Sequence, residues 1–112
     1  DEDLLHAVTA VSGSAPAYFF YMLEHMIATG EQLGLTQTQA TALAMQTALG
    51  SAQMALTSHD TPAVLRRKVT SPNGTTQAAI EVMDNQQMGT TIANAMQACV
   101  ARSRELSQAL GD

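Results

Sequence analysis

Seven consecutive residues, Thr70-Ser71-Pro72-Asn73-Gly74-Thr75-Thr76, concentrate what this chain could do chemically. Pro72 pushes Ser71 out of the helical region and Asn-Gly accepts a positive φ, so the stretch must turn. It runs directly into a helix opened by Thr75 and Thr76. The first N–H groups of a helix have no intrahelical partner, and here they converge with the hydroxyls of Ser71, Thr75 and Thr76 at a positive helix end. That is a cradle for an anion, either carboxylate or phosphate. A capped helix with no ligand would carry the same residues, and local chemistry leaves both readings open. A second turn of small residues, Ser12-Gly13-Ser14-Ala15-Pro16-Ala17, leads into another helix and by itself is only a cap.

The remaining candidates are weaker. His6, His25 and His59 are far apart and have no cysteine or carboxylate at ligand spacing, so no metal site is expected. Cys99 lies on an apolar stripe with no histidine placed to activate it, which suits a small core residue. One cysteine cannot form an internal disulfide, and a reducing compartment, the cytoplasm, is the simpler expectation. Arg66-Arg67-Lys68 is the one basic cluster, and a net charge of -5 argues against a nucleic-acid partner.

Elements to position the two turns can be read from caps and breakers. Ala15–Leu33 has good helix formers inside and Pro16 near its start. Its first half is apolar all round, which in a small domain requires cover from a partner. Gly34 stops it. Thr36 and Gln39 form a capping box for a helix from Gln37 to about Thr57, where Ala44, Ala48, Ala52 and Ala55 would let another helix approach closely. Thr61 and Pro62 start a short helix ending near Val69, and another runs from Thr75 to about Asn85. The last begins at Gly89-Thr90-Thr91, with Ile92, Met96, Cys99, Ser103, Leu106 and Leu110 in 4,3 spacing, the seam of a long packed helix or helical dimer. No segment alternates with period two. The expected fold is all-α, a bundle of about five helices, in one domain over residues 1–112. With 46% hydrophobic but only 4% aromatic residues, its packing must be aliphatic and close. The longest apolar run, Ala15 to Leu23, is too short to span a membrane. The acidic Asp1-Glu2-Asp3 start, with no initiator Met, suggests a piece of a longer chain.

Together the two turns resemble something specific. The run from Ala7 to Tyr18, Gly34-Leu35, and the segment from Pro62 to Ile80 resemble the C-terminal domain of the pyrroline-5-carboxylate reductase family, along essentially the whole chain. Leu65, Val69, Thr70, Ser71, Gly74, Thr76 and Ala79 fall where that family's signature wants them. Ala15 and Asn73 stand where the family usually has glycine, and Arg67-Lys68 replaces a commoner Lys-Asp pair. Asn is the non-glycine residue that best tolerates positive φ, so the cradle should survive.

The resemblance implies an interlocked helical dimerisation domain, forming a homodimer that can assemble further into rings. It implies an enzyme reducing 1-pyrroline-5-carboxylate to L-proline with NADPH or NADH, the last step of proline biosynthesis. The cofactor would be bound mainly by an N-terminal Rossmann domain, of which this sequence has no G-x-G-x-x-G trace; the piece alone should not turn over. By the same resemblance, Ser71 Oγ and the N–H groups of Gly74, Thr75 and Thr76 surround the substrate carboxylate. Thr76 Oγ, the catalytic candidate, sits by the ring nitrogen, and Ser12, Gly13 and Ser14 face the nicotinamide. A non-catalytic helical dimerisation module, whose turns are merely caps, is the competing reading. Another imine or β-hydroxyacid reductase would need a different substrate turn.

Overall fold

The computed structural model describes residues 1–111, and every regular element in them is helical. The order is α1 (Glu2–Val8), a π-helical turn (Thr9–Gly13), α2 (Ala15–Gln32), α3 (Gln37–Thr57), α4 (Pro62–Lys68), α5 (Thr75–Asn85) and α6 (Met88–Gly111). The five helices expected from the sequence are α2 to α6. Preceding them, α1 is built from the acidic head: Asp1 caps it by accepting from Leu4 N–H at 3.0 Å, and Glu2 and Asp3 suit its positive first turn. The predicted starts of α3 and α4 are capped as expected. Thr36 and Gln39 exchange both bonds of the capping box, at 3.0 and 3.1 Å, and Thr61 Oγ1 accepts from Val64 N–H ahead of Pro62. No helix among the described residues is long and apolar enough to cross a membrane.

The residues fall into two compact units. Residues 1–20 and 82 onward make one, in which α6 packs on α1 and on the π-helical turn. His6, buried, shares a 2.7 Å hydrogen bond through Nδ1 with Ser103 Oγ. Ser107 Oγ donates to Glu2 at 3.0 Å and Arg104 pairs with Asp3. Tyr18 donates its hydroxyl to the carbonyl of buried Ala10 at 3.0 Å. Desolvation first, then the adjacent Cys99 thiol, holds that hydroxyl above its ordinary pKa, so it remains a neutral donor. These neighbours half-bury Cys99 and Ser103 in the α6 seam, while Ile92, Leu106 and Leu110 lie open.

Residues 21–81 make the second unit. Here α2 meets α3 closely: a Cβ on Gly30 would lie 3.1 Å from that of Ala40, tighter than ordinary contact, and Ala40 and Ala44 are buried. The small-residue face of α3 is thus used at its N-terminal end, whereas Ala48, Ala52 and Ala55 stay exposed within the chain. Lys68 pairs with Asp60 at 2.5 Å across α4, an exposed contact that contributes little.

Among the described residues only four apolar ones, all alanines, are buried. Phe19 and Phe20 are each 66% exposed. So much uncovered apolar side chain calls for a partner surface.

Between α5 and α6 the chain turns on Gln87, at φ +59, one residue past the helix cap. Its N–H donates to Asp84 O at 2.9 Å while that of Gln86 reaches Val82 O. A side chain in this left-handed conformation costs about 1–2 kcal/mol, more than the chain entropy a glycine adds to the unfolded state. Gln87→Gly is therefore expected to stabilise the fold by about 0.5–1 kcal/mol. Urea unfolding giving an unchanged or lower midpoint would refute it.

Candidate functional site

The turn before α5 has the conformation its sequence demands. Gly74 N–H donates to Ser71 O at 3.1 Å, closing a four-residue turn with Pro72 second and Asn73 third. Asn73 takes φ +60, and proline followed by a positive φ marks a type II turn. Gly74 is needed for close approach, because a Cβ there would lie 3.3 Å from Ser71 O. The preceding residue pair is also fixed: Thr70 N–H reaches Arg67 O and its hydroxyl donates to Arg66 O.

Four of the expected site residues come together on this one segment. Ser71, Thr75 and Thr76 are exposed and Gly74 is half-buried. The first intrahelical bond recorded at this end is Ala78 N–H to Gly74 O, at 3.2 Å, which leaves the N–H groups of Thr75 and Thr76 without a helical carbonyl to reach. The Gly74 N–H also serves the turn, and the absence of a side chain there lets the chain pass Ser71. Three hydroxyls and the two free N–H groups at a positive helix end can hold one carboxylate by charge-assisted hydrogen bonds.

Ser12, Gly13 and Ser14 lie in the other unit, at the end of the π-helical turn. Ser12 and Gly13 are exposed, but Ser12 Oγ donates to Val8 O at 3.0 Å and Ser14 N–H to Thr9 O at 2.8 Å. π-helical turns gather at functional sites. With those donors spent inward and no strand leading into it, the turn does not fit a pyrophosphate; an uncharged ring edge is what it could face. No cluster of metal-ligating side chains exists among the described residues.

The family described as pyrroline-5-carboxylate reductase dimerisation matches residues 2–106. The chain belongs to this family. Among its relatives, the pyrroline-5-carboxylate reductase of Pseudomonas aeruginosa is 52% identical over 111 residues, 99% of this chain and 41% of that protein. That of Haemophilus influenzae is 46% identical over 107 residues, covering 95% and 40%. The solved pyrroline-5-carboxylate reductase of Coxiella burnetii superposes with a TM-score of 0.91 at 42% identity, over 95% of this chain and 39% of that one. The Plasmodium falciparum pyrroline carboxylate reductase with NADP bound gives 0.90 at 28% identity, over 94% and 40%. The chain thus spans about two fifths of the length of these reductases, and its family is defined by their dimerisation region.

Gln77 is the residue that sequence reasoning missed at this end. It stands at the third helical position of α5, where a glutamine commonly reaches back to the chain before the helix, and Asn73 N–H donates to its Oε1. That signal was present in the spacing Gly74 to Gln77.

Proposed function

We propose that this chain is the dimerisation and substrate-binding part of an enzyme that reduces 1-pyrroline-5-carboxylate to L-proline with NADPH or NADH, closing proline biosynthesis. The observation carrying this reading is the segment Ser71–Thr76, whose turn and open helix end supply carboxylate donors within a family whose full-length relatives are named for that reaction. The NADP in the Plasmodium falciparum structure supports a nicotinamide cofactor. This chain's residues do not hold its phosphates, and we assign Ser12, Gly13 and Ser14 only to the neighbourhood of the nicotinamide ring. A cytoplasmic homodimer, with assembly into rings, is the state proposed for the enzyme.

In this reading the N–H groups of Thr75 and Thr76 and the Ser71 hydroxyl bind the carboxylate. Thr76 Oγ holds the imine nitrogen and assists its protonation as hydride reaches the adjacent carbon. In this reading the chain contributes mainly position, with hydride coming from the cofactor. An assay of proline formation by the full-length protein tests the function.

The carboxylate site can be tested on this chain itself. Its donors are backbone groups fixed by a local turn, and the open end leaves each contact near its screened value, about 1 kcal/mol or less. Proline should bind with millimolar affinity at best, corresponding to about 4 kcal/mol. Titration followed by amide shifts should move Thr75 and Thr76. No response there at saturating proline would leave the turn a helix cap.

A further inference from the structure

Asn73 holds a conformation that L-residues adopt at a cost, and everything downstream of it depends on that angle: a change in φ at Asn73 swings Gly74, Thr75 and Thr76 away from Ser71. Ser71 itself holds the turn only through its carbonyl, by the Gly74 N–H. A second fastening comes from the helix. Asn73 N–H donates to Gln77 Oε1, and Gln77 turns its amide nitrogen to Glu81 Oε1 at 3.1 Å, one further turn along α5. These three residues, with Gly74 and Ala78, line an open cavity of about 170 Å³ whose walls include neither Ser71, Thr75 nor Thr76. Without the side-chain amide, Asn73 N–H would turn to water from this open cavity; Gln77 gives it instead a partner that is itself held by Glu81.

We propose that Gln77 is a positioning residue for the carboxylate site, acting through Asn73 from the cavity side, with Glu81 selecting the orientation of its amide. The inference rests on the carboxylate reading of Ser71–Thr76. Gln77 touches no ligand. It fixes the spacing between the Ser71 hydroxyl and the N–H groups of Thr75 and Thr76, so its loss weakens ground-state binding of the carboxylate and leaves the cofactor untouched. A glutamate at this position would still accept from Asn73 N–H but would meet Glu81 with like charge. Exchanging the two side chains restores the pairing with the same number of hydrogen bonds, the carboxylate now accepting from both Asn73 N–H and the new amide.

The test uses the full-length enzyme in four forms: wild type, Gln77→Ala, the exchanged pair Q77E/E81Q, and Ser71→Ala as the control for the carboxylate site. Gln77→Ala should raise KM for the imino acid about tenfold, the equivalent of one lost hydrogen bond. The cofactor KM and kcat should stay within about twofold. Hydrogen exchange at the Asn73 amide, which involves no ligand, should quicken about tenfold, and the exchanged pair should bring both readouts back. A KM effect on both substrates together, or no recovery in the exchanged pair, would show a merely structural role and overturn the proposal. So would an unchanged imino-acid KM, and Ser71→Ala then locates the fault. If Ser71→Ala raises that KM, only the role of Gln77 is wrong; if it does not, the carboxylate site itself is misassigned.

Discussion

Replacing Thr76 by alanine in the full-length enzyme should lower kcat by about 10- to 1000-fold, the range for a group that positions a hydrogen bond or proton in the transition state. Thr76 is exposed at the helix end; in the role proposed for it, a contact from its hydroxyl to the ring nitrogen would gain strength as that nitrogen gains its proton. Its N–H remains in the variant, so carboxylate binding should change little. Ser71→Ala should behave differently. A carboxylate contact is equal in ground and transition states, so its loss should appear in KM, by about tenfold, with kcat nearly preserved. Thr76→Ser keeps the hydroxyl and should recover most of the rate. Steady-state kinetics of the three variants decide the matter, and purely KM effects of similar size from Thr76→Ala and Ser71→Ala would remove the assigned roles.

The second large effect concerns association. Sedimentation of this chain should show a dimer at micromolar concentration, and Phe20→Asp should dissociate it. Phe20 is two-thirds exposed on α2 beside an equally exposed Phe19, and among the described residues alanines are the only apolar ones buried. Covering one such ring contributes about 1.5–3 kcal/mol, and a two-fold interface uses each residue twice. Losing at least about 3 kcal/mol weakens association by roughly a hundredfold or more, and burying the new carboxylate adds to that. Phe20→Leu should remain dimeric. A stable, well-folded monomer of the unaltered chain would refute the prediction.

Signals made by one residue and its near neighbours were legible in the sequence. The Thr36–Gln39 box, the Thr61-Pro62 start and the positive φ of Asn73 are local chemistry, and the structure repeats them. Other features depend on what the signal competes with. Asp1-Glu2-Asp3 reads as a charged head as readily as a cap with an acidic first turn, and it is the docking of α1 on α6, through His6–Ser103, Glu2–Ser107 and Asp3–Arg104, that makes α1 worth forming. The π-helical turn inserts one residue into a helical path, which shifts the apolar pattern by too little to register in so short a segment. The family resemblance places the Gly74 N–H at the carboxylate, and the sequence gives no sign that this N–H also closes the type II turn directly before α5. Gln87 carries a left-handed angle without being Gly or Asn, so composition gives no warning of it.

The bonds joining α1 to α6 connect residues 97 and 105 positions apart. Translation runs at about 5–20 residues per second, so Ser103 is made roughly 5–20 s after His6. Helix–coil relaxation takes microseconds or less, and α1 by itself is too short to persist. For those seconds the nascent chain presents His6 and Ala10 without the α6 surface that helps to bury them, an interval in which this end of the chain is unpaired. Synonymous codons that slow elongation between α2 and α6 would lengthen that interval without altering a single residue of the finished protein.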